Sequence, residues 1–115
     1  MKREHLMIRN ALFILALSGV AMTSVALASG GASLERGKAL FNDAGLAHSS
    51  NGRSCSSCHA GGAKLENANR NPDLAGQINR CIKGALNGKP LDKNSSDMRS
   101  LVMYVQSLAD KQKTR

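Results

Sequence analysis

Cys55-Ser56-Ser57-Cys58-His59 is the stretch on which the reading of this chain turns. Two thiols separated by two residues and followed at once by an imidazole make the C-x-x-C-H pattern, in which both sulfurs add across the vinyl groups of a haem and the histidine is set to coordinate iron. The spacing has a mechanical reason. Two intervening residues let both sulfurs reach neighbouring pyrrole edges, and a tight turn then brings the His59 ring under the metal. A bare C-x-x-C has two other readings, a redox-active dithiol and half of a zinc site. The first wants a strand-helix-strand setting, which the pattern of this chain lacks, and the second wants a further ligand pair such as another C-x-x-C.

Upstream of this motif the chain opens with Lys2, Arg3 and Arg9 ahead of an apolar run from Ala11 to Ala28, closing on the small-x-small tripeptide Ala26-Leu27-Ala28. This is the pattern of a secretory signal peptide, residues 1–28, cleaved before Ser29. The alternative is an uncleaved membrane anchor, since the run approaches the length of a short spanning helix. Either way residues 29–115 are expected outside the cytoplasm, as one domain in the periplasm. No lipidation cysteine follows the apolar run.

A domain of residues 29–115 is near the smallest size at which one core holds without a staple or cofactor. Its only aromatic side chains are Phe41 and Tyr104, and Trp is absent; a porphyrin would supply the missing apolar bulk. The three cysteines, Cys55, Cys58 and Cys81, are an odd number in an oxidising compartment, so they cannot all pair within one chain. Net charge is +8. The leader's Lys2, Arg3, Arg9 and Glu4 account for +2 of it, leaving +6 for the remainder, which is either a solvated surface or the means of steering an acidic partner protein. No nucleic-acid partner is expected.

The pattern is all-α: three main helices separated by polar, glycine-rich loops, with no alternating strand-like runs and no repeats. Ser33 caps the first helix, which runs to about Asn42 with Glu35 in its positive first turn and Leu34, Gly37, Leu40, Phe41 and Ala44 on one side. The second is expected from Pro72 to near Gly88, with an apolar stripe of Leu74, Ile78, Cys81, Ile82 and Ala85 that turns Cys81 inward. The third follows Ser95 and Ser96 and continues through Leu108, with Met98, Leu101, Val102, Val105 and Leu108 buried and Tyr104 on the flank. The segment from Gly45 to Asn71 reads as a long polar loop, of the kind that wraps a ligand. The charged tail from Asp110 to Arg115 is expected to fray.

With those residues in view, the chain resembles a class I cytochrome c over nearly its whole length. In that family an N-terminal Gly-x-x-x-aromatic helix packs on a C-terminal helix carrying Leu-x-x-Tyr. The counterparts here are Gly37-Lys38-Ala39-Leu40-Phe41 and Leu101-Val102-Met103-Tyr104. The resemblance implies a class I cytochrome c fold around one covalent haem c. It also implies a sixth ligand, usually a Met from the loop before the last helix, but Asn87-Gly88-Lys89-Pro90-Leu91-Asp92 has Leu at the matching point.

The candidates for that ligand are therefore Cys81, Met98, Met103 and His48. Ile78-Asn79-Arg80-Cys81, followed by Leu86-Asn87-Gly88-Lys89-Pro90-Leu91 and by Ser96-Asp97-Met98 through Tyr104, resembles haem domains of thiosulfate dehydrogenase and sulfur-oxidation cytochromes. In those families the corresponding cysteine is an axial ligand. A thiolate stabilises ferric iron and lowers the potential relative to Met, and Arg80 or Lys83 would favour the thiolate. The competing reading is a buried, inert cysteine. Met98, on the core face of the last helix, is the alternative ligand; Met103 points away from the buried stripe, and His48 lies in the polar loop.

The expected metal ligands are thus His59 and Cys81, and the expected cofactor residues Cys55, Cys58, His59 and Cys81. The function expected first is single-electron transfer between partner proteins, with no catalysis of its own. The alternative is a haem subunit or enzyme of thiosulfate or related sulfur-compound oxidation, against which stand the single C-x-x-C-H and the short segment from Ala60 to Asn71. A third class, a gas-binding haem, would require an open distal side.

Overall fold

A computed structural model describes residues 30–115; the expected signal peptide and its cleavage point lie outside the described residues. Four α-helices are present among them, α1 (Leu34–Phe41), α2 (Cys55–Cys58), α3 (Leu74–Lys83) and α4 (Ser96–Lys113), joined through single 3-10 turns at Leu46–His48, Ala60–Gly62 and Ala68–Arg70. No strand occurs among the described residues, so the fold is all-α. None of the described helices is long and apolar enough to cross a membrane.

Ser33 starts α1 as expected, its hydroxyl accepting the Arg36 N–H at 3.0 Å. Gly37, Leu40 and Phe41 are buried against α4. A Cβ built on Gly37 would overlap the Ser100 carbonyl oxygen and lie 2.7 Å from Tyr104 Cβ, so the two helices cross at a point only glycine permits. Two polar contacts fix the crossing, and a third, within α4, orients the Ser100 hydroxyl for one of them. The Ser33 N–H donates to Ser100 Oγ at 3.1 Å, Ser100 Oγ donates to the Ser96 carbonyl at 2.7 Å, and Arg36 clasps the Asp97 carboxylate through Nε and Nη2 at 2.9 and 3.1 Å. Phe41 and Tyr104 meet edge to face, centroids 5.3 Å apart. Two expected members of the α1 face stay outside: Ala44 lies beyond the end of the helix, and Leu34, on the flank, is 44% exposed.

The other helices correct the sequence-based ends. Asp73, not the stretch before it, caps α3: its carboxylate accepts the Gly76 N–H at 3.0 Å, leaving Pro72 ahead of the helix. At the other end the chain curls back after Lys83. The N–H groups of Leu86 and Gly88 donate to the carbonyls of Cys81 and Ile82, Asn87 takes a left-handed φ of 50°, and Lys89 N–H reaches the Ala47 carbonyl at 2.8 Å. That reversal ends α3 well before Gly88.

Ser95 caps α4 through the Met98 N–H at 3.1 Å. The helix does not fray at Asp110 but continues to Lys113, because Asn69 Nδ2 donates to Asp110 at 2.6 Å and Gln112 Nε2 to the Gly61 carbonyl at 2.8 Å. These bonds lay the later part of the Gly45–Asn71 segment on α4, while Ala47, Ser50 and Asn51 bond to Lys89, Asn87 and Ala85 beyond α3, so the segment is an ordered wrap of short turns and not a plain loop. Gly62, at φ +87°, lies where a Cβ would press on Leu108. Met98 and Leu101 are fully buried, with Val105 and Leu108 beside them.

Candidate functional site

Ser54 and Ser57 build the short helix that carries the C-x-x-C-H motif. The Ser54 backbone N–H donates to Ser57 Oγ at 3.0 Å and Ser54 Oγ shares a hydrogen bond with Ser56 Oγ at 2.8 Å, so the intervening serines close the turn that sets both thiols. The His59 N–H donates to the Cys55 carbonyl at 3.0 Å, ending α2 at the histidine. His59 Nδ1 stands 2.8 Å from the Ala63 carbonyl oxygen. A carbonyl only accepts, so Nδ1 carries a proton, and in the neutral ring the lone pair is on Nε2.

These groups border a cavity of about 370 Å³. Cys55, Cys58 and His59 come to it from α2 and its end. From α3 come Leu74, Gln77, Ile78 and Cys81, one stripe of that helix, with Ala85 just beyond. Phe41 of α1 and Val105 of α4 add apolar surface, so all four helices meet there. Cys58, Lys64 and Gln77 are exposed and mark the side on which the cavity opens to solvent. Its volume falls within the roughly 300–1,000 Å³ of small-molecule sites.

The three cysteines are all free thiols. Burial pushes the Cys55 thiol up to about 11 from 9.0, and the nearby Cys81 sulfur adds to the rise. A dithiol oxidoreductase with Cys55 as its attacking thiol would need the reverse, a value held below the ordinary one. Nor do three or more His, Cys, Asp or Glu side chains among the described residues gather as a site for a bare ion, whereas zinc takes about four such ligands. A macrocycle supplies its own equatorial donors and asks the protein for at most two axial ones. The set present, two thiols in a turn, an imidazole with a free Nε2 and a sulfur on a facing helix stripe, fits a covalently held haem around an apolar cavity.

The sixth-ligand candidates separate clearly. Cys81 borders the cavity, whereas Met98 is fully buried in the core and contributes nothing to the cavity wall. Met103 is 39% exposed on the surface of α4. His48 and Leu91 line a different, more polar depression with Arg36 and Asp92. Leu91 is held there by Asn79, whose side chain accepts the Leu91 N–H and donates to the Leu91 carbonyl, both at 2.8 Å. Leu91 and its neighbours are thereby turned from the cavity. Sequence reasoning missed Gln77 and Lys64 on the cavity and the Asn79 clamp. Gln77 had a signal, four residues ahead of Cys81 on one helix face; Lys64, at φ 67° after the glycine pair, had none.

Comparisons with models of protein families, with curated proteins and with solved structures give no match.

Proposed function

We propose that this chain is an exported monohaem c-type cytochrome of the class I fold, which passes single electrons between partner proteins through one haem c. The observation that carries the reading is the meeting of Cys55, Cys58, His59 and Cys81 at one apolar cavity. When bound, the haem supplies an iron that alternates between ferric and ferrous states.

The chain's own residues do the rest. Cys55 and Cys58 would hold the group by thioether bonds, each thiol adding across a vinyl. The Nδ1–H bond of His59 to the Ala63 carbonyl fixes the ring's tautomer and orientation. Phe41, Leu74, Ile78 and Val105 keep water from the buried side, so little solvent has to reorganise when charge moves. Cys81, on the facing stripe of α3, would be the second protein ligand, and a thiolate there would favour the ferric state. With His59 and Cys81 both holding the group, an electron could pass without any protein ligand being made or broken. Most of the lysines and arginines are free to steer an acidic redox partner: among the described residues the ion pairs are Arg36 with Asp97 and Lys93 with Asp73.

Optical and EPR spectra of the oxidised protein, beside a Cys81→Ala variant, test the reading. A low-spin thiolate signal that disappears in the variant is expected. An unchanged spectrum carrying the far-red Met-to-iron band would remove Cys81 as ligand.

A further inference from the structure

Beside Cys81, on the exposed rim of the cavity, α3 carries a directed chain of hydrogen bonds. Arg80 donates to Gln77 Oε1 twice, through Nε at 3.3 Å and Nη2 at 2.8 Å. Gln77 in turn donates from Nε2 to Cys81 Sγ at 3.9 Å, a length that the large sulfur atom accommodates. The direction of the chain follows from chemistry. Guanidinium has five donors and no acceptor, so the atom of Gln77 facing Arg80 must be the amide oxygen. The amide NH2 is thereby committed to the other side, where Cys81 sits one helical turn on. Among the described residues this is the one hydrogen bond drawn to the Cys81 sulfur, and Gln77 itself lines the cavity.

We propose that Gln77 is a positioning residue for the Cys81 sulfur, aimed by Arg80, and that it sets the reduction potential of the bound haem. This rests on the reading that Cys81 ligates the iron. An N–H donated to a thiolate draws electron density from the sulfur and weakens its donation to the metal, so it favours the ferrous state relative to the same thiolate left bare. The pair would then offset part of the fall in potential that exchanging Met for thiolate brings. A surface role alone predicts nothing of the kind: an exposed Gln–Arg contact on one helix face adds only marginally to helix stability.

The test is potentiometry and EPR on the haem-loaded full chain, in Gln77→Leu, Gln77→Glu, Arg80→Met and Cys81→Ala variants. Gln77→Leu keeps a helix former of similar size and removes the donor. It is expected to shift the ferric–ferrous equilibrium toward ferric by up to about tenfold, which is 59 mV for one electron, and to move the thiolate g-values. Gln77→Glu replaces the donor with an acceptor and is expected to shift the potential further the same way. Arg80→Met frees the amide to rotate and is expected to fall between wild type and Gln77→Leu. Thermal midpoints should stay within a few degrees of wild type throughout. If Cys81→Ala abolishes the thiolate signal while Gln77→Leu keeps the wild-type potential and g-values, the role of Gln77 is overturned and the ligation stands. If Cys81→Ala leaves the spectrum unchanged, the ligation fails and the Gln77 proposal with it.

Discussion

Replacing Gly37 by Ala probes the contact that closes the fold around the cavity. The added Cβ would overlap the Ser100 carbonyl oxygen and come within 2.8 Å of the Ser100 carbonyl carbon and 2.7 Å of Tyr104 Cβ. Two of those atoms are backbone of a helix and the third is bonded directly to it, so no rotamer change relieves the overlap; α1 and α4 must move apart. Forced overpacking of this kind costs about 1–3 kcal/mol or more, and with backbone on both sides the upper end applies. Alanine returns about 1 kcal/mol through its better helix propensity. The net expectation is a loss of about 2 kcal/mol, or about 8–16 °C in Tm for a domain of this size. Separation would also part Phe41 from Tyr104 and loosen the cavity wall that Phe41 forms. Guanidinium unfolding of the haem-loaded protein, followed by far-ultraviolet circular dichroism, reads this as a lower midpoint at unchanged slope. A Gly37→Ala protein as stable as wild type would refute the close crossing.

Three further outcomes follow from other contacts. Asn79→Ala strips both hydrogen bonds from the Leu91 backbone and should cost about 1–3 kcal/mol in the same unfolding assay; a smaller loss would mean that the turn holds itself. The Lys93 ammonium, followed by the Gly76 N–H, holds the Asp73 carboxyl below its ordinary value of 3.8. Because the folded value is the lower one, its stabilisation is complete above 3.8 and disappears as pH falls through the folded value; Asp73→Asn should therefore flatten the acid limb of stability against pH, and superimposable acid limbs would contradict this. Cys55→Ala should leave one unsaturated vinyl and red-shift the pyridine haemochrome band, whereas the same band position as wild type would deny Cys55 its thioether.

The parts of the fold readable from sequence are those whose cause is local or sterically unique. Ser33 and Ser95 announce their helices because a capping hydroxyl bonds within three residues. The α1–α4 crossing at Gly37 and Tyr104 follows from the family resemblance, and the structure supplies its steric reason, since close approach there leaves no room for a Cβ at Gly37. The ends that went astray depend on partners far along the chain. Asp110 and Gln112 extend α4 through Asn69 and Gly61, and the Ala47 carbonyl pulls the chain out of α3 after Lys83. At the site, periodicity alone turns Cys81 toward the cavity that Cys55, Cys58 and His59 border. The Ala63 carbonyl behind His59 and the Asn79 clamp on Leu91 were hidden, since turn geometry and not residue type creates them.

The most direct test of a covalently held haem is the intact mass of the purified protein, expressed with cytochrome c maturation, after denaturation and acid-acetone extraction. The account predicts the polypeptide plus one haem, with the extra mass retained through extraction. A polypeptide mass alone would contradict it.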